Sequence, residues 1–74
     1  MEATRLIAMA NQIGRFFHAQ GDAAVVAGVE DHLRKFWDPR MRREIVAALD
    51  RGDEGLDAGV SEAVQRLRDS PNVA

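Results

Sequence analysis

The sequence predicts an all-α fold, a small bundle of three to four short amphipathic helices. Large apolar residues recur three or four positions apart in four segments of the 74-residue chain, which is the spacing of one helical face. Glycine, proline and aspartate punctuate these segments where helices would end and begin. No segment alternates with period two, as a half-buried strand would, so we expect almost no strand.

The first two predicted helices meet near Gly21. The first carries an apolar stripe that includes Leu6, Ile7, Met9, Ala10, Ile13, Phe16 and Phe17. We expect Thr4 to cap this helix and Gly21 to end it, and Asp22 to cap the second helix. The second helix carries Val25, Val26, Val29, Leu33 and Phe36. Gly28 interrupts this pattern at a cost of about 1 kcal/mol relative to Ala, so we expect a close contact between helices there.

The third and fourth helices are predicted from their start signals. Asp38 is expected at the N-cap and Pro39 at the first helical position of the third helix. The residue before a proline avoids the helical conformation, so the second helix must end before Asp38. The third helix should end near Gly52, and a polar loop over residues 51–57 should lead to a fourth helix capped by Asp57. We expect one domain over residues 1–74, with a frayed tail over residues 69–74.

Composition limits the function classes that are available. The formal net charge is −2, which argues against a strongly basic nucleic-acid-binding domain. The chain has no cysteine, which removes thiolate catalysis and iron–sulfur ligation. No apolar run approaches the roughly 20 residues that span a bilayer, and no signal peptide is apparent, so we expect a cytoplasmic protein without membrane contact. A core this small supplies about 3–5 kcal/mol, and a partner subunit would add to it.

The sequence offers no catalytic or metal-binding pattern. His18 and His32 are too far apart for a site on one helix. Asp31 adjoins His32 but points elsewhere, because neighbouring residues on a helix do not face each other. We therefore expect neither an enzyme nor a chain with its own cofactor or metal, and we interpret His32 as a structural or interface residue.

Two aromatic pairs, Phe16-Phe17 and Phe36-Trp37, leave two interpretations open. Adjacent helical residues point about 100° apart. In one interpretation Phe16 and Phe36 fill the core while Phe17 and Trp37 close its edge. In the other, Phe17 or Trp37 anchors a partner, since tryptophan and arginine are favoured anchors at interfaces. On the second interpretation, Trp37→Ala should damage a complex more than the free fold.

Three arginines occupy the first turn of the third helix, where the helix dipole disfavours cations. Arg42 and Arg43 have no free acidic partner within their own helix. We therefore expect Arg40, Arg42 and Arg43 to pair with carboxylates or carbonyls of a larger subunit, and charge reversal at Arg42 and Arg43 to leave helicity intact. The candidate partner-binding residues are Phe17, His32, Arg34, Trp37, Arg40, Arg42 and Arg43.

Two blocks of sequence carry a family resemblance. The stretches Ala-Asn-Gln-Ile-Gly-Arg-Phe-Phe at residues 10–17 and His-Leu-Arg-Lys-Phe-Trp-Asp-Pro-Arg-Met-Arg at residues 32–42 resemble the delta subunit of bacterial NAD-dependent formate dehydrogenases. The loop Gly52…Glu54-Gly55-Leu56 is also similar. The resemblance runs from about Met9 to Leu67, and it rests mainly on the Phe-Trp-Asp-Pro-Arg-Met-Arg block.

The resemblance implies an accessory subunit of a molybdenum- or tungsten-containing enzyme. In such complexes the large catalytic (alpha) subunit holds the metal–pterin cofactor and iron–sulfur clusters, while other subunits carry flavin and reach NAD. The implied role of the delta subunit is to stabilise the catalytic subunit or to help it mature.

A nucleic-acid-binding function is the alternative. The second helix, the Asp38-Pro39 turn and the third helix could mimic a helix-turn-helix, with arginines at the start of a recognition helix. The net charge and the proline in the corner argue against it.

Overall fold

The structure, a computed structural model, describes residues 2–70 and contains four helices in that range. These are α1 (Ala3–His18), α2 (Asp22–Phe36), α3 (Pro39–Arg51) and α4 (Ala58–Asp69). No strand occurs in the described range, so the all-α prediction is confirmed. The predicted frayed tail spans residues 69–74, and residues 71–74 of it lie outside the described residues.

α1 and α4 each pack against the other three helices, whereas α2 and α3 each pack mainly against α1 and α4. The α1–α2 edge and the α3–α4 edge of the bundle are therefore formed by different helices. The molecule measures 28 × 27 × 18 Å. The buried core is shared among the four helices and the α2–α3 corner, and it consists of Leu6, Ile7, Ala10, Val25, Val29, Leu33, Trp37, Ile45, Ala48, Val60, Ala63, Val64 and Leu67.

The predicted boundaries of α3 are confirmed. The Asp38 carboxylate accepts a hydrogen bond from the Met41 backbone N–H at 2.9 Å, and Pro39 occupies the first helical position. Gly52 ends the helix with a left-handed φ of 80°, which glycine adopts without steric cost. Asp57 precedes α4 as predicted, although its side chain makes no capping hydrogen bond.

Two other cap predictions are wrong. Thr4 lies inside α1, which begins one residue earlier, after Glu2. Asp22 is the first residue of α2 rather than its N-cap, a position that Gly21 takes with a φ of 107°. The Asp22 carboxylate instead lies 3.1 Å from Nδ1 of His18 in the last turn of α1. This contact joins the two helices across their short connection.

The structure contradicts the interpretation in which Phe16 and Phe36 fill the core. Trp37 is only 5% exposed, whereas Phe16 is 69% exposed and Phe36 is 72% exposed. The reversal at the corner has a backbone cause, because Trp37 lies just beyond α2 with extended dihedral angles of −85° and 138°. The extended residue directs its indole into the core, while Phe36 in the final helical turn is left at the surface.

Two glycines allow side chains to approach a helix backbone closely. A Cβ atom at Gly14 would lie 2.6 Å from Val60, and one at Gly28 would lie 2.6 Å from the ring of Phe17. The close contact predicted at Gly28 is therefore confirmed, and α1 and α2 meet there. Among residues 2–70, no helix is both long enough and apolar enough to cross a membrane.

Candidate docking surface

Arg34 and Arg42, two of the candidate partner-binding residues, hold the ends of other helices. Arg34 donates hydrogen bonds to the carbonyl oxygens of Ser70 at 2.7 Å and Arg66 at 3.3 Å, at the end of α4. It also pairs with Glu30 at 2.9 Å. Nη1 of Arg42 donates to the carbonyl oxygen of Trp37, at the end of α2. The last carbonyls of a helix lack partners within the helix, so both arginines satisfy polar groups of the fold.

The geometry of the corner explains why an arginine is tolerated in the first turn of α3. The start of α3 lies beside the end of α2, where the Leu33 and Arg34 carbonyl oxygens lie 3.5 and 3.4 Å from Nη1 of Arg42. The carboxyl end of a helix is the negative end of its dipole. The cation that is disfavoured by its own helix is therefore favoured by the preceding one.

This contact predicts a different stability effect at two neighbouring arginines. Removing the guanidinium by Arg42→Ala should lower the free energy of unfolding by about 2 kcal/mol, since a hydrogen bond from a charged group contributes about 1.5–3 kcal/mol. Arg43→Ala should change it by less than about 0.5 kcal/mol, the usual range for surface positions. Urea unfolding followed by tryptophan fluorescence measures both, and equal stabilities of the two variants would contradict the capping role.

Asn11, within the first resemblance block, fixes the loop between α3 and α4. Its Nδ2 donates to the Gly55 carbonyl oxygen at 2.6 Å, and its Oδ1 accepts from the Asp57 backbone N–H at 3.0 Å. Gly55 has a φ of 112°, a conformation that side-chain-bearing residues rarely adopt. Asn11 therefore ties α1 to the residue that precedes α4.

An exposed row of aromatic side chains remains outside these fold contacts. The ring of Phe17 lies against Gly28, and Phe16 contacts Phe17 edge-on with 5.1 Å between ring centroids. One helical turn beyond Gly28, His32 contacts the ring of Phe36 at 4.9 Å between centroids. We call the four side chains Phe16, Phe17, His32 and Phe36 the aromatic stripe.

The aromatic stripe is the main exposed apolar feature of the described chain. It runs about 12 Å along α2 from Gly28 to Phe36, at a rise of 1.5 Å per residue. Phe16 and Phe36 are the large apolar residues of the described range that lie exposed. The rings are in contact within each of the pairs Phe16–Phe17 and His32–Phe36, and clustered exposed apolar groups mark an interaction site more often than scattered apolar residues do. The stripe lies at the α1–α2 edge of the bundle.

The structure separates the sequence-predicted site residues into three groups. Phe17 and His32 belong to the aromatic stripe and lie half-buried in it. Arg40 and Arg43 are exposed, and no carboxylate pairs with either among the described residues. The remaining three, Arg34, Trp37 and Arg42, maintain the fold. The indole of Trp37 is covered by its own chain and cannot serve as an exposed anchor.

From the sequence, Phe16 and Phe36 were placed on apolar helical faces and were not identified as surface residues. The position of Phe16 could have been found from sequence, because it points well away from the face formed by Leu6, Ala10 and Phe17. The position of Phe36 could not, since helical periodicity places it in phase with Val29 and Leu33. Only the end of α2 at residue 36 exposes it.

The described residues contain no cluster of metal-ligating side chains. No group of three or more histidine, aspartate or glutamate residues between residues 2 and 70 could hold a metal ion. No polar or charged side chain in this range is buried, whereas small-molecule sites rely on a few well-placed polar groups in an apolar cavity.

Comparison with protein families gave an assignment that agrees with the resemblance noted in the sequence. The family model for the NADH-dependent formate dehydrogenase delta subunit, FdsD, matches residues 5–64. The searches of curated proteins and of solved structures gave no match. The matched region includes Asn11, Trp37, Arg42 and all of the aromatic stripe. The chain thus belongs to the FdsD family of NADH-dependent formate dehydrogenase delta subunits.

Proposed function

We propose that this delta subunit is a non-catalytic accessory subunit that binds the catalytic subunit of formate dehydrogenase and stabilises it or helps it mature. The exposed aromatic stripe is the single observation that carries the proposal. Membership of the family implies partner subunits in a formate dehydrogenase complex. Aromatic side chains that bury large areas with little loss of rotamer freedom are favoured anchors in such contacts.

The charge distribution around the stripe supports a protein partner. Lys35, next to Phe36, pairs with Asp31 at 3.2 Å, so one flank of the stripe is neutralised. Arg40 lies just beyond the corner between α2 and α3, and no carboxylate of the described residues forms an ion pair with it. An apolar centre with charged groups at its rim is the usual anatomy of an interface between proteins.

The proposed role assigns no cofactor to this chain. The metal–pterin, iron–sulfur, flavin and NAD sites implied for the complex would belong to its other subunits. The delta subunit would act by covering apolar surface of the catalytic subunit. Such binding favours the folded form of the partner in proportion to its affinity.

The helix-turn-helix alternative finds no support in these contacts. Arg42, one of the three arginines that would face a nucleic acid, donates instead to the end of α2. The formal net charge of −2 also opposes binding to phosphates.

Deleting the gene for this chain tests the proposed function. In the deletion strain, formate-dependent NADH formation and the amount of intact catalytic subunit should both fall, and wild-type chain supplied from a plasmid should restore both. Metal–pterin content per catalytic subunit then separates the two roles. If the metal–pterin content per catalytic subunit is unchanged while the amount of catalytic subunit falls, the role is stabilisation. If the metal–pterin content per catalytic subunit falls, the role is in maturation. Normal activity with normal amounts of catalytic subunit would contradict the proposal.

A further inference from the structure

A second surface, at the α3–α4 edge, differs in chemistry from the aromatic stripe. An open groove of about 540 Å³ lies between α3 and α4. We call it the α3–α4 groove, and it is lined chiefly by Pro39, Arg42, Arg43, Val46, Leu67 and Arg68. Its floor is apolar and its rim carries guanidinium groups. It is formed by α3 and α4, whereas the stripe lies on α1 and α2.

The groove carries positive charge on an acidic protein. Three arginines but only one carboxylate, that of Asp50, line it, whereas the whole chain has a formal charge of −2. Arg68 is neutralised, because it pairs with Asp50 at 2.9 Å and with Asp69 at 3.1 Å. Hydrogen bonding to Asp50 raises the pKa of Arg68 further above its ordinary value.

The other two arginines keep their charge. Arg42 donates to carbonyl oxygens at the end of α2, which carry a partial negative charge but no carboxylate. Arg43 is exposed and has no carboxylate partner among residues 2–70. Two cations without carboxylates therefore flank an apolar floor, and they select for negative charge in whatever binds there.

We propose that the α3–α4 groove binds an acidic segment of a larger subunit of the complex, with a carboxylate at Arg43 and aliphatic side chains over Pro39 and Val46. This inference rests on the proposed function, and it adds a second contact and the chemistry of the partner. A polypeptide fits better than a small anion. The groove is open along two helices, and no buried polar side chain is present in the described range to orient a small ligand.

Binding of the purified chain to formate dehydrogenase complex isolated from the deletion strain tests the groove. Arg43→Glu should weaken binding by about tenfold or more at low salt, because it reverses the charge that meets the carboxylate. Wild-type affinity should fall as sodium chloride is raised, and the fall should be smaller for Arg43→Glu. Arg5→Glu is the matched control, since Arg5 is also exposed, lies in α1 outside the groove and changes net charge equally. It should bind like the wild type.

A zero-length cross-link identifies the occupant. Arg43→Lys places an amine at the rim, and a carbodiimide then joins that amine to a contacting carboxylate as an amide, with loss of water. Mass spectrometry should locate the amide on an aspartate or glutamate of a larger subunit. A cross-link between two copies of this chain would overturn the proposal.

The outcomes separate this inference from the proposed function. If Arg43→Glu and Arg5→Glu bind with equal affinity, the partner does not bind at the groove. If Phe36→Ala still weakens binding in that case, docking through the stripe stands. Absence of binding by the wild-type chain itself would overturn both.

Discussion

Trp37→Ala is expected to unfold the protein. The indole is the largest aromatic group in the core, and it is 5% exposed. Truncating a buried tryptophan costs about 3–5 kcal/mol, while a domain of this length without disulfides has a net stability of about 3–5 kcal/mol. The substitution therefore removes most or all of the stability. This expectation replaces the one drawn from sequence, in which the variant stayed folded.

Phe36→Ala provides a matched control one residue away. It also removes an aromatic ring, but that ring is 72% exposed, so the helical content and the melting temperature should remain close to those of the wild type. Circular dichroism during thermal unfolding distinguishes the two variants. A Trp37→Ala protein that melts cooperatively near the wild-type temperature would show that the indole is not needed for the core.

Replacing both exposed phenylalanines should abolish docking without unfolding the chain. The double variant Phe16→Ala, Phe36→Ala is expected to bind the catalytic subunit at least about 100-fold more weakly. Truncating an aromatic hot-spot residue costs about 2 kcal/mol or more, and each 1.4 kcal/mol is about tenfold in affinity. Titration calorimetry with purified catalytic subunit measures the change.

Two comparisons make that result interpretable. Circular dichroism of the double variant should match that of the wild type, since both side chains lie at the surface. Arg5→Ala, an exposed position on α1 outside the stripe, should bind with wild-type affinity. If the double variant binds as tightly as Arg5→Ala, docking does not use the stripe.

The helices were predictable because their signals are local. Asp38, Pro39 and Gly52 each act within one turn of their own helix, and all three predictions are confirmed. The close contact at Gly28 was also predictable, since a glycine within a helix is destabilising unless something requires it. The caps at Thr4 and Asp22 were misplaced by one or two residues, which is the usual uncertainty of helix ends.

The roles of the arginines depend on contacts that no local pattern contains. Arg34 reaches the carbonyl oxygen of Ser70, which is 36 positions away and directly follows α4. Arg42 reaches α2 only because the corner at Asp38-Pro39 sets α3 beside the end of that helix. From sequence, both were assigned to an interface, and Arg42 also had no free acidic partner in its own helix. Such a residue can still be held by a helix that packs nearby.

The resemblance blocks combine residues of two kinds. Asn11, Trp37 and Arg42 are engaged in loop, core and helix-end contacts. Phe16 and Phe36 have no such engagement and are exposed. The first group explains how a short chain without disulfides holds its fold. The second group is available to a partner, and this separation is the central claim about the surface.

Site-specific photo-cross-linking tests that claim most directly. A photoreactive phenylalanine analogue is placed at position 36 in one sample and, as the control, at position 5 in another. Each is mixed with the formate dehydrogenase complex from the deletion strain and irradiated. We expect a covalent product between position 36 and the catalytic subunit, and none from position 5. A product from position 5 alone, or a product that joins position 36 only to a second copy of this chain, would contradict it.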